Sequence, residues 1–243
     1  MNLDDLWPNT TATRIYAVGD VHGRLDLLLR LEAEIRIDLE ARPTDAPLVC
    51  YLGDYVDRGP ASAGVIDHLA STACDGLHRI FLKGNHEDRM LAFLDDPVAN
   101  GSSWMKFGGR EALASYGLPQ ALIEAENWQA LRDALATALP PAHLSFLSAL
   151  ELALRWSGYL FVHAGVDPAR PLTDQDPHDL MWIREPFLSS NRDFGLRIVH
   201  GHVIEPEPVF RANRIGLDTG AYKSGILTCA ALEGGAVRLL QAC

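Results

Sequence analysis

The sequence is poor in cysteine and in positive charge, and it has no long apolar run. Four cysteines, Cys50, Cys74, Cys229 and Cys243, form no CxxC pair and match no zinc-finger spacing. A disulfide framework and a structural zinc site are therefore excluded, and free thiols in a reducing compartment are expected. Lys and Arg total 21 against 32 Asp and Glu, a formal net charge of −11. A face that neutralises a nucleic-acid backbone needs the opposite surplus, so no nucleic-acid partner is expected. No stretch approaches the roughly 18–20 apolar residues of a membrane span. Residues 1–10 contain Asp4 and Asp5 and no apolar run, unlike a signal peptide. The expectation is a cytoplasmic protein with no membrane partner. Repeats and low-complexity tracts are missing as well. With 48% hydrophobic and 22% charged residues, the 243 residues suit a single domain. Such an acidic chain can still hold a local positive site where metal ions supply the charge.

What is present begins with three short apolar runs, residues 14–18 (RIYAV), 48–52 (LVCYL) and 78–82 (HRIFL), each reading as a buried strand. Between the first two, residues 24–40 place Leu25, Leu28, Leu29, Leu31, Ile35 and Leu39 at helical spacing; residues 62–72 read as a second helix. The first 85 residues thus predict β-α-β-α-β, an α/β fold with a parallel sheet and helices packed on it. From Asp88 to about Leu154 the pattern changes to short helices over 90–94, 110–116, 122–139 and 143–150. This predicts a helical cap or insertion, about 88–154, on a core that otherwise spans the whole chain. Strand signals resume at 159–162, 197–199 and 215–217, and 225–232 with 236–240 flank Glu233-Gly234-Gly235 as a hairpin.

Polar, chemistry-bearing residues follow the strands. Asp20-Val21-His22 follows the first, Asp54 the second and Asn85-His86 the third; His163 follows the run at 159–162 and His202 the run at 197–199. Asp20, Asp54 and Asn85 are spaced by about 30 residues, one strand–helix–strand unit. Ligands of open α/β sheets bind outside the carboxyl ends of the strands, so these loops are expected to share one rim. A mixed carboxylate, imidazole and amide set suits manganese, iron or zinc. One histidine after a strand is an ordinary structural residue, and any one of Gly19, Gly23, Gly53, Gly59 and Gly84 is an ordinary loop glycine. All five strand ends together need a common cause.

Gly19-Asp20-Val21-His22-Gly23, Gly53-Asp54-Tyr55-Val56-Asp57-Arg58-Gly59 and Gly84-Asn85-His86-Glu87 resemble the signature of the phosphoprotein phosphatase family, among the calcineurin-like metallophosphoesterases. The resemblance is greatest to its compact bacterial and phage members. His163-Ala164-Gly165 and Gly201-His202 continue the family order, so it spans about residues 14–232. It implies a β-sandwich of two mixed sheets flanked by helices. It also implies two divalent metal ions, manganese ahead of iron or zinc, with Asp20 and His22 on the first, Asp54 shared, and Asn85, His163 and His202 on the second. His86 would be the general acid, with Asp57 setting its tautomer and keeping it protonated. Arg58, Arg184 and Asn85 would bind the substrate phosphate, and His200 would stand beside the site without ligating.

The implied activity is that of a serine/threonine protein phosphatase. A hydroxide held by the two metals would attack phosphoserine or phosphothreonine monoesters of a phosphoprotein or phosphopeptide directly, phosphotyrosine being left open. The alternative is a diadenosine tetraphosphate hydrolase of the same superfamily, whose second motif generally lacks the aspartate of Asp57-Arg58. A non-catalytic scaffold is the second alternative, and it sits poorly with a full ligand set. Two departures from the eukaryotic members, His163-Ala164-Gly165 for HGG and His200-Gly201-His202 for Arg-Ala-His, follow the bacterial pattern. A third bears on substrate contacts: residues 104–116 resemble a bacterial Trp-x-x-Asn-Gly-Gly segment, read as cap packing, but Phe107 stands where Asn is expected.

Overall fold

The computed structural model describes residues 7–71 and 77–243. Residues 1–6, Cys74 and the expected end of the second helix at Thr72 lie outside the described residues. The chain runs β1 (Arg14–Val18), α1 (Leu25–Ala41), β2 (Pro47–Tyr51), α2 (Ser62–Ser71) and β3 (His78–Phe81). A helical segment follows: α3 (Asn85–Asp95), α4 (Pro97–Lys106), α5 (Gly109–Ser115), α6 (Gln120–Glu124), α7 (Trp128–Ala138) and α8 (Pro141–Ser148). The remainder is β4 (Ala153–Trp156), β5 (Tyr159–Val162), α9 (Pro177–Trp182), β6 (Arg197–His200), β7 (Val209–Phe210), β8 (Arg214–Gly216), α10 (Ala221–Ser224), β9 (Leu227–Glu233) and β10 (Ala236–Ala242).

Two mixed sheets result, ordered β10-β9-β1-β2-β3 and β4-β5-β6-β8-β7. In the first, β1, β2 and β3 are parallel and the β9–β10 hairpin adds antiparallel to β1. Gly234 and Gly235 carry φ of 53° and 83°, the paired positive values a two-residue hairpin turn requires. In the second, β5, β6 and β8 are parallel, with β4 and β7 antiparallel at the edges.

Alternation along the strands explains why they read as unbroken apolar runs. Ile15 and Ala17 of β1 point between the sheets, where they meet Leu48, Cys50, Phe161, Val199 and Ile215. Tyr16 and Val18 point the other way, onto Leu27, Leu28, Leu31 and Ile35 of α1. The outer face of the second sheet is covered by Leu180, Ile183 and Phe187. Sheets buried on both faces lose the polar half of the pattern. Cys50, Cys229 and Cys243 are free thiols, and no helix of the described residues is long and apolar enough to cross a membrane.

The helical segment departs from expectation in detail. The single helix foreseen over 122–139 is two, because Glu126 adopts φ 51° and Asn127 caps α7 by accepting from the Ala130 N–H. Helix α4 was hidden by Asn100-Gly101-Ser102-Ser103, all weak helix formers; Asp96 starts it by accepting from Val98 and Ala99 N–H, with Pro97 in its first turn. The segment also ends before 154, since Ala153 and Leu154 belong to β4, which pairs with β5. Burial against a neighbouring strand made that four-residue strand, and no local alternation announced it.

Candidate metal and phosphate site

Asp20 and His22 leave the end of β1, Asp54 to Arg58 the end of β2, and Asn85 and His86 open α3 after β3. His163 and His202 leave β5 and β6 of the other sheet. The site therefore lies between the carboxyl edges of two sheets. Its loops are tightly bent: His22, Asp54, Asp57, Arg58 and His202 have φ of 44°, 54°, 71°, 66° and 65°. Such values cost non-glycine residues about 1–3 kcal/mol each and persist only where surroundings enforce them. Two glycines show the crowding, for a Cβ on Gly84 would overlap Asp54 Oδ1 and one on Gly201 would overlap Asp20 Oδ1. Glu87, fully buried, ties the loops by accepting from the N–H groups of Gly84, Asp54, Tyr55 and Val56. Sequence reading assigned Glu87 no role, although its place in the third motif marked it.

Two of the imidazoles are oriented by backbone carbonyls. His22 Nδ1–H donates to Val56 O and His163 Nδ1–H to Leu52 O, both at 2.8 Å, so the Nε2 atoms turn inward. Asp54 Oδ1 accepts from the His86 N–H at 3.0 Å. Its Oδ2 then faces His22 Nε2 at 3.5 Å and His163 Nε2 at 3.4 Å. Asn85 Oδ1 is 3.0 Å from His163 Nε2 and 2.9 Å from His202 Nδ1. Two sets of donor atoms, from His22, Asp54 and His86 and from Asp54, His163 and His202, each lie within 4.8 Å of one another. Two ligands each about 2.1 Å from one ion, at a tetrahedral angle, stand about 3.4 Å apart, so this spacing suits cations that share Asp54.

The charge balance favours cations in the same place. Burial opposes ionisation of Asp54, yet His163, His86 and His22 hold its carboxyl well below the usual range. Burial lowers His163 as well, but Asp54 outweighs it and raises that imidazole. Arg58 Nη1 donates to His22 Nε2 at 3.0 Å and Arg184 Nε to His202 Nε2 at 3.3 Å. His22 and His202 thus each have a positive partner, whereas His163 Nε2 faces only Asp54 and Asn85. Asp20 lies outside both tight donor sets: its carboxylate accepts from the His202 N–H at 3.2 and 3.0 Å. In the first set His86 stands where the sequence places Asp20. Burial, Asp218 and Asp54 push the Asp20 carboxyl well up, and crowded buried carboxyls are where a cation is welcome.

Around this centre, His86 Nδ1–H meets Asp57 Oδ2 at 2.7 Å, and His86 Nε2 is buried with no partner, 3.8 Å from Asp54 Oδ2. Burial dominates both members of the pair. It lowers His86 to about 4, with Asp54 pulling the other way, and raises Asp57 well above the usual range against a Trp104 hydrogen bond. The Asp57 contact that would set the tautomer is in place, but burial outweighs the pull of Asp54 on the ring. Trp104 Nε1–H donates to both Asp57 oxygens, at 3.1 and 2.9 Å. It was read as cap packing, and only its bulk and polar tip hinted at more. Arg58 lies with its guanidinium 5.0 Å from the Tyr222 ring centroid, another neighbour without a sequence signal. His200 stays outside the donor sets, its ring edge-on to Phe187 at 5.2 Å.

The fold and this donor set belong to one known class: the chain is a member of the calcineurin-like phosphoesterase family, whose model matches residues 13–223. These are metal-dependent hydrolases of phosphate esters with a dinuclear centre. Among curated relatives, it is 28% identical over 228 residues to serine/threonine-protein phosphatase 1 of Salmonella typhimurium, covering 90% of this chain and 92% of that protein. It is 25% identical over 232 residues to the asymmetrical bis(5'-nucleosyl)-tetraphosphatase PrpE of Anoxybacillus flavithermus, covering 87% of each. A solved structure provisionally assigned as a diadenosine tetraphosphatase overlays with a TM-score of 0.66 at 20% identity, over 97% of both chains.

Proposed function

We propose that the chain is a metal-dependent phosphoprotein phosphatase that hydrolyses phosphoserine and phosphothreonine monoesters of cytoplasmic proteins. The whole chain is taken as one domain, with the helical segment as a cap on its leaving-group side. The observation that supports this reading most is the 2.7 Å Asp57–His86 contact next to Arg58. A serine or threonine side chain leaves as a poorly stable alkoxide and needs a proton, whereas a nucleotide phosphate leaves readily as an anion.

Asp20 and His22 are assigned to one ion, Asn85, His163 and His202 to the other, and Asp54 to both, with manganese the expected metal and iron or zinc compatible with the same donors. Those ions would supply Lewis-acid polarisation and an activated water. Arg58 and Arg184 reach opposite ends of the centre, at His22 and His202, and can grip phosphate oxygens in the forked manner of arginine. Asn85 turns Oδ1 to two histidines, which leaves its Nδ2 for the phosphate. His86 keeps one proton on Nδ1 towards Asp57 and presents Nε2 to the centre. A phosphate dianion beside Nε2 raises the proton affinity that burial has lowered, so a proton there can pass to the leaving oxygen.

The rival reading, a dinucleotide tetraphosphatase, is favoured by the name of the Anoxybacillus relative. A phosphoserine peptide, a phosphotyrosine peptide and diadenosine tetraphosphate, assayed side by side with manganese, separate the two. The phosphoserine peptide is expected to be preferred, and His86→Asn is expected to keep metal but lose about 10²–10⁴-fold in turnover on it. Preference for the dinucleotide, or wild-type turnover by the variant, overturns the proposal.

A further inference from the structure

We infer that Arg89 is a specificity-determining residue: packed against the rings of Phe107 and Trp182, it receives a second anionic group, a carboxylate or phosphate beside the phosphorylated residue of a peptide substrate. The inference rests on the phosphoprotein phosphatase reading.

Arg89 is three residues beyond His86 on α3, a spacing that puts both side chains on one helix face. Its charge acts on Asp57, Asp54 and His86. The face of α3 that carries the proposed acid therefore also carries Arg89. The guanidinium carbon is 3.8 Å from the Phe107 ring centroid and 4.6 Å from that of Trp182. Two rings against one cation restrict where it can point. Trp182 is itself held, its Nε1–H on Asp88 Oδ2 at 3.3 Å and its ring stacked on His178 at 5.6 Å.

Arg89 has donors to spare. Nη1 bonds Ser103 Oγ at 2.6 Å and Ser103 O at 3.3 Å and Nε is buried without a partner, but among the described residues Nη2 makes no hydrogen bond and is the donor left for an incoming anion. Asp88, its acidic neighbour, is paired with Lys83 at 2.9 Å, and among the described residues no carboxylate forms an ion pair with Arg89. A partly buried cation with unused donors is unfavourable until an anion meets it. The scissile phosphate already has Arg58 and Arg184, so Arg89 is free for a different group. Phe107 also lines, with Arg58, Lys106, Glu111 and Tyr222, a cleft of about 340 Å³ in which a peptide flank can lie. An asparagine at position 107 would offer no aromatic face to the guanidinium.

The test is a substrate ratio. Wild type, Arg89→Gln, Arg89→Lys and Phe107→Asn, loaded with manganese, are assayed on phosphoserine peptides that differ only in Glu, Gln or Lys beside the phosphoserine. Wild type is expected to favour the Glu over the Gln peptide by about tenfold in kcat/KM, mostly through KM, as one charge-assisted hydrogen bond allows. Arg89→Gln is expected to reduce the ratio to about twofold or less. Arg89→Lys should keep part of it, having charge without the plane, and Phe107→Asn should fall between. Should Arg89→Gln fail to fold, Phe107→Asn, at a position 42% exposed, carries the same comparison. Peptide hydrolysis with no preference for Glu overturns the inference and leaves the phosphatase reading standing. Loss of kcat by Arg89→Gln equally on all three peptides also overturns it, since Arg89 would then serve the transferred phosphoryl group. If wild type cleaves p-nitrophenyl phosphate but none of the peptides, the phosphatase reading fails and this inference with it.

Discussion

The strand-end loops and the helical segment α3–α8 both supply side chains to the centre, but they hold them differently. In the loops, His22, Asp57, His86 and His163 are fully buried and Asp54 is 1% exposed, and five residues take left-handed φ values. Backbone N–H and C=O groups fix the His22 and His163 rings and the Asp20, Asp54 and Glu87 carboxylates, so a change to one of these side chains disturbs its neighbours' backbone. Beyond the opening turn of α3, the helical segment is ordinary helix, started by Asp96 and Asn127 caps and packed through Leu113, Ile123, Leu131 and Leu135. It reaches the centre through Trp104, Arg89 and Phe107. On the proposed reading, the loops carry the chemistry, while the segment adjusts the acid and reads the substrate.

The largest effect should come from the residue shared by both donor sets. Asp54→Asn removes the negative charge that three histidines surround. Bound manganese is expected to fall and turnover to drop by about 10³-fold or more, the several kcal/mol a metal contributes to such a transition state. Metal analysis beside a steady-state assay checks it; a variant that keeps its metal and stays within tenfold of wild type would end the shared-ligand assignment.

Next comes the point where the segment touches the loops. Trp104→Phe keeps an aromatic ring, though a smaller one, and removes the donor to Asp57. A loss of about 10–100-fold is expected, typical of a group that orients a functional residue. The sign of the pH effect follows from the contact: burial raises Asp57 and the Trp104 hydrogen bond lowers it, so removing that bond raises Asp57 further. The anionic form of Asp57 is then lost at higher pH, and the acid limb of kcat/KM should move upward. An unmoved limb would reduce Trp104 to packing, and the two regions would be energetically separate.

What was legible beforehand follows the same division. The β-α-β-α-β start and the β9–β10 hairpin announced themselves because apolar runs and turn residues are local signals. Asp20, His22, Asp54, Asn85, His163 and His202 could be picked out because each follows a strand, and the structure gathers them on one edge of the sandwich. Asp20 turning to the His202 amide was not legible, since it depends on how two sheets pack. Nor was the proton balance of Asp57 and His86, because desolvation is a property of the folded interior. Trp104 is 47 residues from Asp57, and no period links them. Helix α4 and strand β4 were missed for the opposite reason: their own residues favour other conformations, and tertiary burial decided.

The smallest effect tests whether the segment's stability can be changed without touching the centre. Asn127 Oδ1 accepts from the Ala130 N–H at 3.2 Å and starts α7, whose Leu131 and Leu135 are fully buried. Asn127→Ala leaves that donor to water and is expected to cost about 1 kcal/mol. Urea unfolding should show this as a lower midpoint with an unchanged slope, and Tm should fall by roughly 2–4 °C for a chain of this size. Because Asn127 makes no hydrogen bond to Trp104 or Arg89 among the described residues, kcat/KM and the acidic-peptide ratio should stay within about twofold of wild type, the range expected of independent sites. A marked change in either would mean that strain in α7 reaches the Asp57–His86 pair, so that the segment and the loops act as one cooperative unit.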